Sequence, residues 1–440
     1  MEKIALISLG CAKNLVDSEV MLGILNRAGY AFTNRLENSD IIIINTCGFI
    51  GPAREEALSE IRKAVQVKRK RPALKIVVTG CYVQRDRDSL IQRFPEVDAW
   101  MGVNDFDHIT DALRGISYPH RNRAFLYDHA SPRHLSTPPG WAYIKISEGC
   151  SHHCAFCAIP LIKGPYHSRP ISSIVQETLR LVSEGVREID LVSQDTTFYG
   201  KDVGMKDGLP HLLQELIAIR GLEWIRILYG YPEEITDSLL ETMQEEKICS
   251  YLDIPFQHAD SRIIHSMRRG LSGDESLKLI ESIRKKLPGI ALRTSVIVGF
   301  PGEGKEEYTR LLDFVRAARF DNLGVFTYSR ESGTGCFEMG DPVKESVKQR
   351  RRNRLMELQA EIAYECNSKY LDRKLDVLIE GKLQGDPSTL VGRTRYQAPE
   401  VDGIVLLKSD PSLKDDPSGE IHKVEITHRE GYDLLGELIS

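Results

Sequence analysis

Short apolar runs of β-type residues alternate with helical patterns along most of this 440-residue chain. In the amino-terminal part the β-type runs cover residues 3–9, 40–45 and 75–79, and a helical pattern follows each of them. Such alternation is typical of parallel strands whose connecting helices pack over the sheet. We therefore expect residues 1–118 to form a parallel α/β domain.

The alternation resumes after a stretch rich in Pro, His, Arg and Ser, which predicts a linker over residues 119–135. Residues 136–366 then contain six further β-type runs, with helical patterns between them. Six βα units predict a partial (βα)6 barrel, two units short of a closed barrel. Ligands of such folds bind at the carboxyl ends of the strands. The six runs cover residues 142–147, 188–193, 224–229, 251–255, 292–299 and 323–328.

The carboxy-terminal segment has a different character. Short alternating strands separated by Gly, Pro and Asp turns predict a small antiparallel β domain over residues 369–440. This domain has fourteen acidic and ten basic residues, so its net charge is −4. Nucleic-acid affinity depends largely on Lys and Arg, so this charge favours a basic protein partner. The alternatives are a local positive patch formed by Arg393 and Arg395, and a negative surface that serves only solubility.

Charge and cysteine content exclude several other classes of protein. A formal net charge of −5 with 28% charged residues fits neither a polybasic nucleic-acid binder nor a disordered acidic chain. The first residues combine an early acid with a short apolar run, which predicts a strand rather than a secretory signal. Nine cysteines, an odd number, fit a reducing cytoplasm better than a disulfide framework. The cysteines therefore need a chemical explanation.

Three of the cysteines lie close together directly after the first strand of the predicted barrel. Cys150, Cys154 and Cys157 are separated by three and two residues. Three thiolates at this spacing can hold one face of a four-iron cluster and leave one iron open, whereas ferredoxins use four cysteines. An open iron can bind the amino and carboxylate groups of S-adenosylmethionine. The alternative is structural zinc, which prefers four ligands and would have to recruit His152 or His153.

Three other cysteines each follow an apolar strand of the amino-terminal domain. Cys11, Cys47 and Cys81 stand immediately after the three β-type runs. Because parallel strands end at the same edge of a sheet, we expect the three thiols to converge on a shared metal site. The alternatives are inert thiols, or a catalytic cysteine with a disulfide partner. The remaining cysteines have no comparable placement and are interpreted as structural: Cys249, Cys336 and Cys366.

The motif around Cys150 resembles the radical S-adenosylmethionine superfamily. The hallmark of that superfamily is C-x-x-x-C-x-x-C with an aromatic residue before the last cysteine, here Phe156. Two three-cysteine sets followed by a small β domain are similar to the methylthiotransferase family over essentially the whole chain. The resemblance implies an amino-terminal methylthiotransferase domain, a radical core and a carboxy-terminal TRAM domain. It also implies two 4Fe–4S clusters, S-adenosylmethionine and an electron donor such as flavodoxin or ferredoxin.

Members of this family place sulfur and a methyl group at an unactivated C–H bond. The chain is similar to the branch that methylthiolates the β-carbon of an aspartate in small-subunit ribosomal protein twelve. The alternatives are a tRNA adenosine methylthiotransferase and a non-catalytic iron–sulfur RNA-binding module. Lys163 replaces an arginine that is common in both branches, and His167 stands where a basic residue is usual. The segments that carry the similarity are 168–170, 192–200, 252–258 and 397–403.

Polar residues near the ends of the barrel strands are further candidates. Side chains at the carboxyl ends of such strands face the ligand. The alternative for each is a strand-end residue whose hydrogen bonds are satisfied within the protein. Beyond the cluster ligands no catalytic residue is predicted. Five residues are predicted to contact S-adenosylmethionine or substrate: Phe156, Gln194, Arg226, Gln257 and Arg293.

Overall fold

The computed structural model of the protein describes residues 1–116, 125–408 and 416–439. The predicted linker therefore lies partly outside the described residues, at positions 119–124. The strands of the amino-terminal domain are β1 (Lys3–Ser8), β2 (Ala31–Phe32), β3 (Ile41–Thr46), β4 (Lys75–Gly80) and β5 (Ala99–Met101). Its helices are α1 (Ala12–Arg27), α2 (Gly51–Lys70), α3 (Cys81–Arg93) and α4 (Ile109–Leu113).

These five strands form one parallel sheet in the order β2-β1-β3-β4-β5, with helices on both faces. The central strand β3 is buried along its whole length. Since successive side chains point to opposite faces, Ile41 and Ile43 pack with residues of α1, and Ile42 and Ile44 pack with residues of α2. The carboxyl ends of β1, β3 and β4 lie at one edge of the sheet.

The second domain is the predicted partial barrel, which confirms the expected α/β class. Its strands are β6 (Trp141–Lys145), β7 (Ser147–Glu148), β8 (His167–Ser168), β9 (Glu188–Val192), β10 (Trp224–Ile227), β11 (Tyr251–Asp253), β12 (Ala291–Val298) and β13 (Asn322–Thr327). Its helices are α5 (Ile159–Lys163), α6 (Ile171–Ser183), α7 (Gly208–Ile217), α8 (Asp237–Thr242), α9 (Ser261–Ser266), α10 (Gly273–Lys286), α11 (Lys305–Ala318) and α12 (Glu345–Cys366).

Six strands of this domain run parallel in two sheets, β10-β9-β6 and β11-β12-β13, which a bridge between Ile225 and Ile248 joins. A short antiparallel pair, β7 with β8, closes the loop that carries the cysteines of the second domain. The helices pack on one face of the strands around a large apolar core. In the ranges that the structure describes, no helix is both long and apolar enough to cross a bilayer.

The carboxy-terminal domain is a closed five-stranded barrel in the order β14-β15-β16-β18-β17, with strands β14 (Lys374–Leu383), β15 (Asp386–Thr394), β16 (Val405–Lys408), β17 (Ile421–Glu430) and β18 (Asp433–Leu438). The sequence predicted an antiparallel domain, and four of the five pairings are antiparallel, but β16 and β18 pair in parallel. The last strand, β18, contains Gly436. A Cβ at Gly436 would lie 2.5 Å from Val424 Cγ1, so this glycine allows close packing within the barrel.

The carboxy-terminal barrel docks on the face of the core strands that lies opposite the helices. Glu188 of β9 pairs with Arg393 at 2.9 Å and with Arg226 at 2.8 Å, and all three side chains are buried. The hydroxyl of Tyr251 donates a hydrogen bond to Asp402 at 2.6 Å. The inside of the partial barrel is therefore held to the carboxy-terminal domain by buried charged and polar groups.

Candidate functional site

The three cysteines of the amino-terminal domain converge at the edge of its sheet. Cys11 precedes α1, Cys47 follows β3, and Cys81 begins α3 directly after β4. A Cβ on Gly10 would lie 3.1 Å from the sulfur of Cys47, so the loop before Cys11 passes close to Cys47. The thiol of Cys81 also lies within electrostatic range of Cys47 and Cys11. The edge thus brings the three thiols together.

Buried side-chain amides tie these strand ends to one another. Asn14 of α1 donates hydrogen bonds to the carbonyls of Leu9, at 2.8 Å, and Thr46, at 3.2 Å. Asn45 donates to the carbonyl of Asn14 at 2.9 Å. The side-chain oxygen of Asn14 lies 4.0 Å from the sulfur of Cys81. Sequence analysis did not single out these amides, although a polar residue buried in the first turn of a helix is a signal of such a role.

The other three cysteines lie on the loop that β7 and β8 close. The N–H of Cys157 donates to the carbonyl of Cys154 at 3.1 Å, which forms a tight turn. The backbone N–H groups of His152 and Ile159 lie near the thiols of Cys150 and Cys157 and act to lower the pKa values of those thiols, against the effect of burial. Donors of this kind stabilise the charged form of a thiol. The loop is therefore arranged to hold thiolates.

The chemistry of both sets fits iron–sulfur clusters. Burial raises the pKa of Cys150 to about 11 and the pKa values of Cys157 and Cys81 to about 12, so these thiols need a positive partner to become thiolates. A coordinated metal supplies that partner, because a metal-bound thiol is deprotonated. Among the described residues, no three His, Cys, Asp or Glu side chains converge closely enough to hold a single metal ion. Thiolates on separate irons of one cluster need no such close approach.

The zinc alternative loses one of its two candidate fourth ligands, His152. His152 Nε2 lies 2.5 Å from a carboxylate oxygen of Asp195, and its ring stacks on Tyr231 with 3.8 Å between the centroids. On the other side of Tyr231 the guanidinium of Arg269 lies 3.9 Å from the ring centroid. Sequence analysis missed Tyr231 and Arg269, and no motif marks either of them. These contacts engage His152 away from the thiols.

A buried cluster of four charges joins the two cysteine-bearing domains. Lys145 pairs with Glu148 at 2.8 Å and also with Asp17 of α1. Lys163 pairs with Asp17 at 3.3 Å and with Glu148 at 3.2 Å. Burial opposes ionisation of Glu148, but Lys145 and Lys163 lower its pKa to about 2. Lys163, where an arginine is common in the family, thus contacts the amino-terminal domain and lies within electrostatic range of Cys81.

Next to this cluster, Lys13 of α1 lies over the ring of Tyr229 with its Nζ 3.5 Å from the centroid. Only 6% of Lys13 is exposed. Within residues 1–116, 125–408 and 416–439, its ammonium has no ion pair or hydrogen bond. Tyr229 follows β10 and has a φ of 62°, a strained conformation for a residue with a side chain.

Two of the five predicted contact residues are arginines held by carboxylates. Arg226 is fully buried, and its guanidinium pairs with Glu188, so it belongs to the contact with the carboxy-terminal barrel. Arg293 pairs with Asp253 at 3.0 Å and with Asp402 at 3.4 Å. The charge of Arg293 acts on Tyr229. Arg226 instead lies at the interface between the core strands and the carboxy-terminal barrel.

The other three predicted contact residues are half-buried. Phe156 packs against an apolar cluster that contains Met267 and Phe300. Gln194 follows β9, and Gln257 follows β11 with a φ of 71°. Positive φ values of this kind cluster at functional sites. Contact of these residues with a cofactor stays a prediction.

Three parts of the chain match known families. Residues 3–102 match the Uncharacterized protein family UPF0004, residues 144–315 match the Radical SAM superfamily, and residues 373–439 match the TRAM domain. The three matches thus follow one another along the chain in the domain order that the resemblance to the methylthiotransferase family implies.

Whole proteins also match over the full length. The chain is 44% identical over 445 residues to the ribosomal protein uS12 methylthiotransferase RimO of Desulforamulus reducens, with 100% of both chains covered. It is 44% identical to the RimO protein of Geotalea uraniireducens, which covers 100% of this chain and 98% of that one. Both matches extend over all three domains.

Solved structures with much lower sequence identity share the fold. TsrM from Kitasatospora setae, a radical S-adenosylmethionine methyltransferase with cobalamin and a 4Fe–4S cluster bound, has a TM-score of 0.55 at 13% identity, covering 76% of this chain and 77% of that one. OxsB, a cobalamin-dependent S-adenosylmethionine radical enzyme, has a TM-score of 0.52 at 12% identity, covering 72% and 52%.

Proposed function

This chain belongs to the RimO family of ribosomal protein uS12 methylthiotransferases, and on that premise we propose that it methylthiolates the β-carbon of an aspartate in uS12. The observation that carries the proposal is the 44% identity to RimO proteins over the whole of both chains. The chain is a radical S-adenosylmethionine enzyme and uses S-adenosylmethionine and 4Fe–4S clusters.

Two sets of residues are proposed to hold the clusters. When bound, the clusters would supply the electron for reductive cleavage of S-adenosylmethionine and the sulfur for methyl transfer. The chain provides buried thiols, N–H donors to them and the buried charges that fix one domain against the other. We assign Cys150, Cys154 and Cys157 to the radical cluster, and Cys11, Cys47 and Cys81 to the auxiliary cluster.

The structure also bears on the choice between a protein and an RNA substrate. The alternative of a positive patch on the carboxy-terminal domain required Arg393 and Arg395 to face solvent. Arg393 is instead buried against Glu188, and Arg395 donates to the carbonyl of Ile248 at 2.5 Å. Burial of Arg393 therefore excludes it from such a patch, whereas Arg395 stays half-buried at the surface. The net charge of −4 on this domain supports a basic protein partner over RNA, and the alternative of a surface that serves only solubility stays open.

We divide the chain into a methylthiotransferase domain (1–118), a linker (119–135), a radical core (136–366) and a TRAM domain (369–440). Because radical chemistry needs an electron donor, flavodoxin or ferredoxin is the proposed reductant. The cytoplasm is the proposed location, where uS12 is available either free or in the ribosome.

The test compares cells with and without this chain. Mass spectrometry of their ribosomal proteins and tRNA should show one aspartate peptide of uS12 that loses a methylthio group when the chain is absent. The tRNA should be unchanged. Loss of a methylthio group from tRNA with uS12 unaltered would contradict the proposal and support the tRNA alternative.

A further inference from the structure

The side chain of Lys13 is buried, and its ammonium has no ion pair or hydrogen bond among the residues that the structure describes. A lysine whose side chain is largely buried usually has a carboxylate partner, because burial of an unpaired charge is costly. The other two buried lysines nearby, Lys145 and Lys163, each pair with carboxylates. Stacking over Tyr229 contributes some stabilisation but forms no hydrogen bond.

The acidic groups around Lys13 are already engaged by other groups. Asp253 accepts from Arg293 at 3.0 Å and from the N–H of Tyr229 at 3.4 Å. Glu148 is held by the two lysines of the charge cluster that joins the domains. Both carboxylates lie within electrostatic range of Lys13 but form no ion pair with it. The ammonium is therefore left with hydrogen-bonding capacity for an incoming acceptor.

The position of Lys13 relates it to both proposed cluster sites. On one side it lies two residues from Cys11 and within electrostatic range of that thiol. On the other side it covers Tyr229, directly beyond the carboxyl end of β10, where ligands of this fold bind. A substrate that receives sulfur from one site and loses hydrogen at the other has to be held in this region.

We propose that the ammonium of Lys13 binds the side-chain carboxylate of the substrate aspartate and thereby positions its β-carbon between the two cluster sites. This inference rests on the proposed function. It makes Lys13 a residue that determines specificity for a carboxylate over an amide, since an ammonium donates to both groups but pairs in charge with only one. Arg293 is less suited to this role, because Asp253 and Asp402 already neutralise the charge of its guanidinium.

The test is a double-mutant cycle that changes the enzyme and the substrate. Anaerobically reconstituted wild-type protein and Lys13→Met are each given uS12 peptides that carry either the target aspartate or asparagine. Peptide affinity is measured without S-adenosylmethionine, and turnover is measured with it. We expect Lys13→Met to weaken binding of the aspartate peptide by at least about 30-fold and to leave binding of the asparagine peptide nearly unchanged.

Three controls keep the result interpretable. Iron content and substrate-free cleavage of S-adenosylmethionine should match the wild type. Lys13→Arg retains the charge and should restore most of the preference for aspartate, even if Lys13→Met folds poorly. Lys201→Met removes an exposed ammonium, paired with Glu234, from the core domain and should change neither peptide affinity.

The outcomes separate this inference from the proposed function. Suppose that wild-type protein modifies the aspartate peptide but Lys13→Met binds both peptides more weakly by the same factor. The proposed carboxylate contact is then wrong, and the proposed function stands. Unchanged affinity of Lys13→Met for the aspartate peptide would also show that the carboxylate contact is wrong, and the proposed function would again stand. If wild-type protein modifies neither peptide nor intact ribosomes, the proposed function fails and this inference fails with it.

Discussion

The guanidinium of Arg269 lies 3.7 Å from the sulfur of Cys154, and the same group stacks over the ring of Tyr231. The ring of His152 packs on Tyr231 as well, and Asp195 holds that imidazole. The stack leaves Arg269 few alternative positions. A fixed positive charge therefore lies beside one of the proposed ligands of the radical cluster.

This relationship predicts a change in redox potential. A reduced cluster is more negative than an oxidised one, so a nearby cation stabilises the reduced form and raises the potential. Arg269→Met should lower the midpoint potential of the radical cluster by on the order of tens of millivolts in a spectroscopic redox titration. Arg268→Met, at an exposed neighbouring arginine, is the control. An unchanged potential at equal cluster content would show that Arg269 has only a structural role.

The two cysteine sets should lose iron independently. Cys47→Ala should remove about half of the bound iron and leave reductive cleavage of S-adenosylmethionine measurable, because alanine cannot replace a thiolate ligand. Cys154→Ala should remove a similar amount and abolish that cleavage. Iron analysis and product assay of each folded variant test this. Loss of all iron from either single variant would contradict the assignment of two separate sites.

The charge cluster between the domains should be important for stability. Asp17→Asn leaves two buried lysines, Lys145 and Lys163, with one carboxylate between them. Breaking a buried pair in this way typically costs about 3–5 kcal/mol. Chemical denaturation should show such a decrease in the free energy of unfolding. Glu60→Gln breaks the exposed pair with Lys63 and should cost less than about 1 kcal/mol, and equal costs for both variants would contradict the prediction.

Two neighbouring acids of β9 should differ in their effect on the docking of the carboxy-terminal barrel. Burial, and then the charge of Glu188, raise the pKa of Asp190 well above its ordinary value. Burial also opposes ionisation of Glu188, but Arg393 and Arg226 lower its pKa, so Glu188 carries the charge that faces Arg393. Glu188→Gln should therefore expose the segment between Cys366 and Lys374 to limited proteolysis. Asp190→Asn leaves the pair between Glu188 and Arg393 in place and should not. Equal protection in both variants would show that Glu188 is not the anchor.

The carboxy-terminal barrel should fold without iron, because no cysteine follows Cys366. A fragment from Lys369 onward closes all its strand pairings by itself. Circular dichroism in the presence and absence of a chelator should give the same β-type spectrum. The folded fragment should bind basic uS12 more tightly than tRNA, with an affinity that falls as salt rises. A fragment that needs iron to fold, or that prefers tRNA, would contradict this prediction.

Local patterns in the sequence determined the fold class and the meeting point of three cysteines. The period of the hydrophobic pattern changes between a strand and the helix that follows it, and this change can be recognised from the sequence alone. Because parallel strands share an edge, Cys11, Cys47 and Cys81 had to lie at one edge once β1, β3 and β4 were recognised. The spacing of Cys150, Cys154 and Cys157 placed the second set on one loop in the same way.

Only the tertiary structure decided which buried charges pair. Lys145 pairs with Asp17 across 128 residues of sequence, and Arg393 pairs with Glu188 across 205. No local pattern predicts such pairs, because any of the many charged residues can be solvated until packing removes water from particular ones. The same reason explains why Arg226 is engaged by the carboxy-terminal barrel, and why Lys13 is left as a buried cation beside Tyr229.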